Sequence, residues 1–144
     1  MKDFSPLEQS LNVSFKDKNF LVQAFIHRSY LNENPDSGLQ HNERLEFLGD
    51  AVLELVVTEN LYQGYPDKPE GELTTWRAAL VNAKILSEIA RSLKFNDFLL
   101  LSRGEGQEEG KARDYILANT MEAFIGTLYL DQGLKVCEKF ITEH

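Results

Sequence analysis

"HNERLEFLGDAVLELVV", residues 41 to 57, sets Glu43, Glu46 and Asp50 into a run that otherwise reads as a buried helix. The three carboxylates stand at i, i+3 and i+7, so they share one helical face. Glu46 and Asp50 form a like-charged i,i+4 pair, unfavourable by roughly 0.2–0.5 kcal/mol on an isolated helix and by more when desolvated. Leu45, Leu48, Val52 and Leu55 make an apolar stripe on the far side. Phe47, Leu53 and Val57 flank the acids, which leaves a narrow, half-buried polar face. Gly49, inside the helix, costs about 1 kcal/mol relative to Ala and lets another segment approach the backbone beside Asp50.

A second polar insertion repeats the pattern. In "ILANTMEAFIGTLYL", residues 116 to 130, Asn119 and Glu122 stand at i and i+3 on an otherwise apolar helix, with Gly126 one turn later. Two such helices, crossing, make a cluster of hard oxygen ligands. That set suits Mg²⁺ or Mn²⁺, whose charge would offset the carboxylate repulsion. Spacing alone leaves other readings open. The acids of residues 43 to 54 can be solvated or paired with Lys or Arg, Asn119 can be a hydrogen-bonded core amide, and Glu122 can be a buried partner of Arg77 or Arg113. Glycines 49 and 126 can serve close helix packing alone. His27 and His41 read as hydrogen-bonded structural residues. A di-iron bundle needs Glu three residues before His, where this chain has Ala24, Gly38 and Ile141. There is no HExxH, phosphate-binding glycine loop or nucleophile elbow.

Composition narrows the class. A chain of 144 residues with 42% hydrophobic residues can form one domain with a real core. The single Cys137 excludes an internal disulfide framework and fits a reducing cytoplasm. No apolar run reaches signal-peptide or membrane-span length, so a soluble, cytoplasmic protein with no membrane partner is expected. The net charge of −8 argues against a generic basic nucleic-acid module, although bound metal ions reverse the sign locally.

The fold class is all-α. "SPLEQSL" carries Ser5 as expected N-cap, Pro6 at the first helical position and Glu8 closing a capping box. "DKNFLVQAFIHRSYL" reads as one helix through Phe20, Leu21, Ala24 and Phe25, and "NENPDSGLQ" as a loop. The acid-bearing helix follows, and "QGYPDKPEGE" breaks the chain. "LTTWRAALVNAKILSEIARSL" reads as one long amphipathic helix capped at Thr74, with Leu80, Ile85, Leu86 and Ile89 among its apolar positions. "SRGEGQEEGKAR" reads as a mobile loop. "DYILANTMEAFIGTLYLDQG" and "LKVCEKFITEH" read as two helices split at Gly133. The last runs to His144, where a further segment is expected to follow.

These motifs resemble the ribonuclease III endonuclease family. "NERLEFLGDAVLELVV" is similar to the family signature E-R-L-E-F-L-G-D, and "AFIHRSY" to its upstream H-R-S-Y. "EGELTTWRAALVN" and "ILANTMEAFIGTLYLDQG" resemble two further family segments, in the family order, from about residue 5 to the C-terminus. The resemblance implies a single endonuclease domain over residues 1–144, with no double-stranded-RNA-binding domain in the chain. It implies Mg²⁺-dependent cleavage of double-stranded RNA by a homodimer, each subunit cutting one strand. The family's catalytic, metal-holding acids match Glu46, Asp50, Asn119 and Glu122, with Asn119 standing where the family has Asp. Glu43 and Glu70 match supporting acids, and Phe47 matches an aromatic that enters a socket on the partner. The alternative is an endonuclease-fold RNA-binding or assembly dimer with weak or no cleavage, because of Asn119 and the missing RNA-binding domain.

Overall fold

The computed structural model describes residues 2–144, and its axis is a long helix, α8 (Lys111–Gln132). Ile116, Leu117, Met121, Phe124, Ile125 and Leu128 of α8 are all buried, and so are the small residues between them. A helix apolar nearly all round has to be surrounded. Around it pack α4 (Glu43–Gly64), α6 (Ala83–Ser92), α2 (Lys18–Ala24) and α9 (Leu134–Glu143). The smaller pieces are α1 (Ser5–Leu11), α3 (Arg28–Glu33), α5 (Glu70–Leu80), the 3₁₀ turn η1 (Phe95–Phe98) and α7 (Arg103–Gln107). The protein is all-α: among the described residues the one extended pairing is an isolated parallel bridge between Ile26 and Leu100.

The aromatic residues collect where these helices meet. Ring centroids lie 5.0 Å apart for Phe25 and Phe95, 5.3 Å for Phe95 and Phe124, and 5.1 Å for Phe124 and Phe140. Such tilted and edge-on pairs add about 0.5–1.5 kcal/mol each beyond the burial of the rings. Cys137 is fully buried beside them, and burial pushes its thiol up to about 12.

Helices α4 and α8 cross at their glycines. A Cβ built on Gly49 would overlap the carbonyl oxygen of Glu122 and lie 2.6 Å from its carbonyl carbon and 2.8 Å from the Gly126 nitrogen. One built on Gly126 would overlap the Leu45 carbonyl oxygen and lie 3.0 Å from the Gly49 nitrogen. Both positions therefore require hydrogen, and the two main chains touch.

Two expected helices are divided, and a third is capped differently. Residues 17–31 form α2 and α3, interrupted where Leu100 N donates to Phe25 O (2.9 Å) and His27 N donates to Leu100 O (3.0 Å). These long-range bonds compete successfully with helix continuation, and Asn42 reinforces them by donating from Nδ2 to Ala24 O at 2.8 Å. Residues 73–93 form α5 and α6, separated at Val81 and Asn82. The Asn82 side chain accepts from Ile85 N, so it caps α6, while Thr74 lies inside α5. At the N-terminus the Asp3 carboxylate, not Ser5, accepts an early helical N–H, that of Ser5. Glu8 is diverted from the expected capping box to Phe15 N and Lys18.

The expected loop over 102–113 is structured. Ser102 caps α7 by accepting from Glu105 N, and α8 begins at Lys111. Arg113, only 5% exposed, reaches from α8 to Asn96 Oδ1 (2.7 Å) and to the carbonyl of Glu105 (2.9 Å), so one guanidinium ties α7 to η1. The split between α8 and α9 falls at Gly133, as expected, with φ at +90°.

Candidate functional site

Because α4 and α8 touch at Gly49 and Gly126, the side chains a turn away from the contact splay apart and leave a cleft of about 770 Å³. Glu43, Glu46 and Asp50 line it from α4, and Asn119 and Glu122 from α8. Five of the acids and amides singled out by spacing thus meet in one place. Phe47 stands at the same cleft with its ring 83% exposed. Glu70 does not join them. It lines a separate cleft of about 730 Å³ between the end of α4 and α5, with Tyr62, Tyr65, Lys68 and Arg77.

The electrostatics differ sharply among the acids. Burial, a hydrogen bond with Asp50, and the charges of Asp50 and Glu46 together push Glu122 up to about 8. Glu122 is therefore largely protonated at neutral pH, and positive charge in the cleft would relieve the cost of ionising it. Glu46 is also raised, first by burial and then by Glu43 and Asp50. Glu43 has company of the opposite sign in Arg28, 3.5 Å from its carboxylate, and His41 lies 3.6 Å away. The readings of Glu122 as a partner of Arg77 or Arg113 fall away. Arg77 pairs with Glu54 at 3.6 Å, and Arg113 lies 3.7 Å from Glu109 besides its bonds to Asn96 and α7.

The donor set fits a hard divalent cation. All four of Glu46, Asp50, Asn119 and Glu122 offer oxygen, and a cation would offset the burial and like charge that raise Glu122. Among the described residues no three His, Cys, Asp or Glu side chains are closed tightly enough to hold one ion, so the ligands surround a cleft rather than a point.

Residues that spacing did not single out for the site also line it: Arg28, Asn42 and Tyr115. Tyr115 was legible, since it precedes Asn119 by four residues and Glu122 by seven on the same helical face. Asn42 was signalled by its place directly before the acid-bearing helix. Arg28 carried no periodic signal. His27 and His41 are hydrogen-bonded, as expected: each accepts a backbone N–H at Nδ1, from Ser29 at 3.1 Å and from Glu43 at 3.3 Å.

The family model described as Ribonuclease-III-like matches residues 17–144. The chain belongs to that family. It is 50% identical over 142 residues to Ribonuclease 3 of Oceanobacillus iheyensis, covering 99% of this chain and 62% of that protein. It is 47% identical over 140 residues to Ribonuclease 3 of Bacillus cereus, covering 97% of this chain and 57% of the relative. The chain thus spans about three fifths of the length of these ribonuclease 3 relatives. Among solved structures, the nuclease domain of ribonuclease III from Campylobacter jejuni, described for flexibility in its dimer-forming region, is 42% identical. It superimposes with a TM-score of 0.88 over 98% of this chain and 94% of that one. Among the described residues no helix of this ribonuclease-III-like chain is long and apolar enough to cross a membrane.

Proposed function

We propose that residues 1–144 are a ribonuclease III endonuclease domain that hydrolyses double-stranded RNA with Mg²⁺, or with Mn²⁺ in its place, as a cytoplasmic homodimer. The observation that carries this reading is the single cleft that gathers Glu46, Asp50, Asn119 and Glu122, where burial and the neighbouring acids raise Glu122. A carboxyl raised first by burial and then by neighbouring acids gains most from a divalent cation beside it.

Glu46, Asp50 and Glu122 would hold the ion through carboxylate oxygens, and Asn119 through its amide carbonyl. When bound, the ion supplies Lewis acidity and the positive charge that a scissile phosphate approaching an acidic cleft requires. Glu122, largely protonated on its own, would serve as a charged ligand beside such an ion. Glu43, held by Arg28 and His41, serves as a supporting acid at the rim. Water adds to phosphorus, the bond to the 3′ oxygen breaks, and the products carry 5′-phosphate and 3′-hydroxyl ends. RNA is read through shape and backbone, so base preference is loose.

The dimer is supported by the outer face of α4, where Phe47, Leu55 and Tyr62 are exposed by 83%, 51% and 73%. Leu55, expected on the buried stripe, belongs instead to this line of apolar residues a protomer would cover with its partner. In the dimer each subunit cuts one strand, and Phe47 enters a socket on the partner. Glu70, remote from the acids within one protomer, keeps a supporting role only if dimerisation carries it toward a cleft.

Cleavage of a defined RNA duplex in Mg²⁺, with end-group analysis, tests the reading. Mg²⁺-dependent scission by the natural chain and its loss in Glu122→Gln are expected. Duplex binding without scission in saturating Mg²⁺ would favour the second reading, an endonuclease-fold binding or assembly dimer, for which Asn119 is the specific observation.

A further inference from the structure

His27 occupies the N-cap of α3 in an arrangement that fixes its tautomer. Ser29 N donates to Nδ1 over 3.1 Å, and Ser29 Oγ lies 2.8 Å from the same nitrogen. That hydroxyl oxygen is itself an acceptor, from Ser102 N at 2.9 Å, which leaves its single hydrogen for the imidazole. A ring nitrogen receiving two donors carries no proton, so the N–H of the ring is at Nε2. The main chain holds the residue at both ends as well: His27 N donates to Leu100 O and its carbonyl accepts from Tyr30 N, each at 3.0 Å.

Nε2, on the side of the ring turned away from α3, has no hydrogen-bond partner among the described residues, and His27 lines the acid cleft. A cap needs only Nδ1. Ser, Asp or Asn would perform it as well or better, and none of them would place a second, distal donor at the cleft. Burial pushes the imidazole below its ordinary 6.5, with Glu105 and Glu43 opposing, Arg28 and His41 adding to the fall. The group is therefore an oriented, uncharged donor. With Nδ1 taken by Ser29 and the proton on Nε2, neither ring nitrogen offers a free lone pair to a cation.

We propose that His27 is a substrate contact, donating from Nε2 to a backbone oxygen of the RNA strand held against the acid cleft. The proposal rests on the endonuclease reading above. Double-stranded RNA presents two such oxygens along its strands, the non-bridging phosphate oxygen and the ribose 2′-hydroxyl. A donor preset by two hydrogen bonds at its other nitrogen loses nothing to reorganisation when the strand arrives.

His27→Asn separates the two jobs of the side chain. Asn keeps a capping oxygen for Ser29 N but has no distal donor, whereas His27→Gln can place an N–H near the Nε2 position while capping poorly. Duplex cleavage in Mg²⁺, thermal melts and pH profiles of the three proteins make the test. His27→Asn is expected to melt like the natural chain and to lose about 10- to 100-fold in kcat/KM. Gln recovers part of that loss. The ratio of natural chain to Asn variant stays constant from about pH 7 to about pH 9, because the neutral imidazole is the active form. Single 2′-deoxy substitutions around the cut identify the acceptor: the ratio collapses toward one where the 2′-hydroxyl accepts and persists where a phosphate oxygen does. A folded Asn variant with natural kcat/KM, a folded Gln variant no better than Asn, or a ratio that falls with rising pH overturns the assignment. A natural chain that cleaves nothing overturns the endonuclease reading and this proposal together, whereas cleavage with an equally active Asn variant overturns this proposal alone.

Discussion

Replacing Gly49 by Ala puts one methyl group where α4 meets the carbonyl of Glu122. Two effects of opposite sign follow. An exposed helical Gly→Ala change favours the helix by about 1 kcal/mol. Against it stands overpacking, about 1–3 kcal/mol and more where the neighbour cannot give. Here the neighbour is the main chain of a buried helix, at 2.6 Å from the Glu122 carbonyl carbon and 2.8 Å from the Gly126 nitrogen, so α4 and α8 must separate. We take the upper end of that cost and expect a net loss of roughly 2–3 kcal/mol, or about 5–10 °C in the melting temperature of a chain this size. Gly71→Ala, whose added methyl would meet nothing within 4 Å, is the internal control and should be neutral or stabilising. Combining Gly49→Ala with Gly126→Ala should cost less than the sum, since helices already separated by one methyl accommodate the second. Circular dichroism melts of the four variants decide it. If Gly49→Ala melts at or above the natural chain, the main-chain contact does not set the spacing of the acid cleft.

Glu122→Gln should raise the melting temperature in chelator, most at about pH 8.5 and least below about pH 4.5. The native carboxyl is raised from 4.5 to about 8, so the native state holds a proton the unfolded state has released, and stability falls as pH rises through that window. Taken whole, the displacement corresponds to about 5 kcal/mol; solvent at the open cleft screens this to about 1–2 kcal/mol. A pH-independent difference between the two melts would show that Glu122 is not the raised acid. Asn119→Asp should lower the Mg²⁺ concentration for half-maximal cleavage, because a charged oxygen replaces a neutral one at the ion, and slightly destabilise the metal-free protein; a titration showing an unchanged or higher requirement counts against residue 119 as a ligand. Phe47→Ala should leave the protomer's own packing intact, since the ring is 83% exposed there, yet remove about 3–5 kcal/mol from a socketed contact. Sedimentation should then show a dimer dissociation constant raised by roughly two orders of magnitude or more, and a natural chain that is monomeric at micromolar concentration would contradict the assignment.

Periodicity located the two helices that build the cleft because α4 and α8 carry their apolar residues at helical spacing and their glycines beside the acids. It also placed the Gly133 break, where a positive φ leaves a local mark in the sequence. The breaks it missed are of two kinds. The one after α2 comes from Leu100 bonding to Phe25 and His27, a contact between segments far apart in the chain that no local window contains. The breaks at Asn82 and Ser102 were legible in principle: each is a good capping residue, and Ser102 with Glu105 has the spacing of a capping box. Apolar periodicity running through Asn82, and the glycines around Ser102, masked those signals. Gathering of Glu43, Glu46, Asp50, Asn119 and Glu122 was readable from spacing, whereas the position of Glu70 depended on how α5 turns away from α4 at Tyr65 and Pro66.

Cys137 has a practical consequence. It is buried beside the Ile125 carbonyl, 3.6 Å away, and its thiol is held near 12, so almost none of it is thiolate at neutral pH and reagents cannot reach it. A cysteine introduced on the surface away from the apolar face of α4, as in Glu88→Cys on α6, would be the sulfur that a maleimide or nitroxide reagent modifies. Spin or fluorescent labels can therefore test the proposed dimer, and the spacing between its protomers, without the native cysteine first being removed.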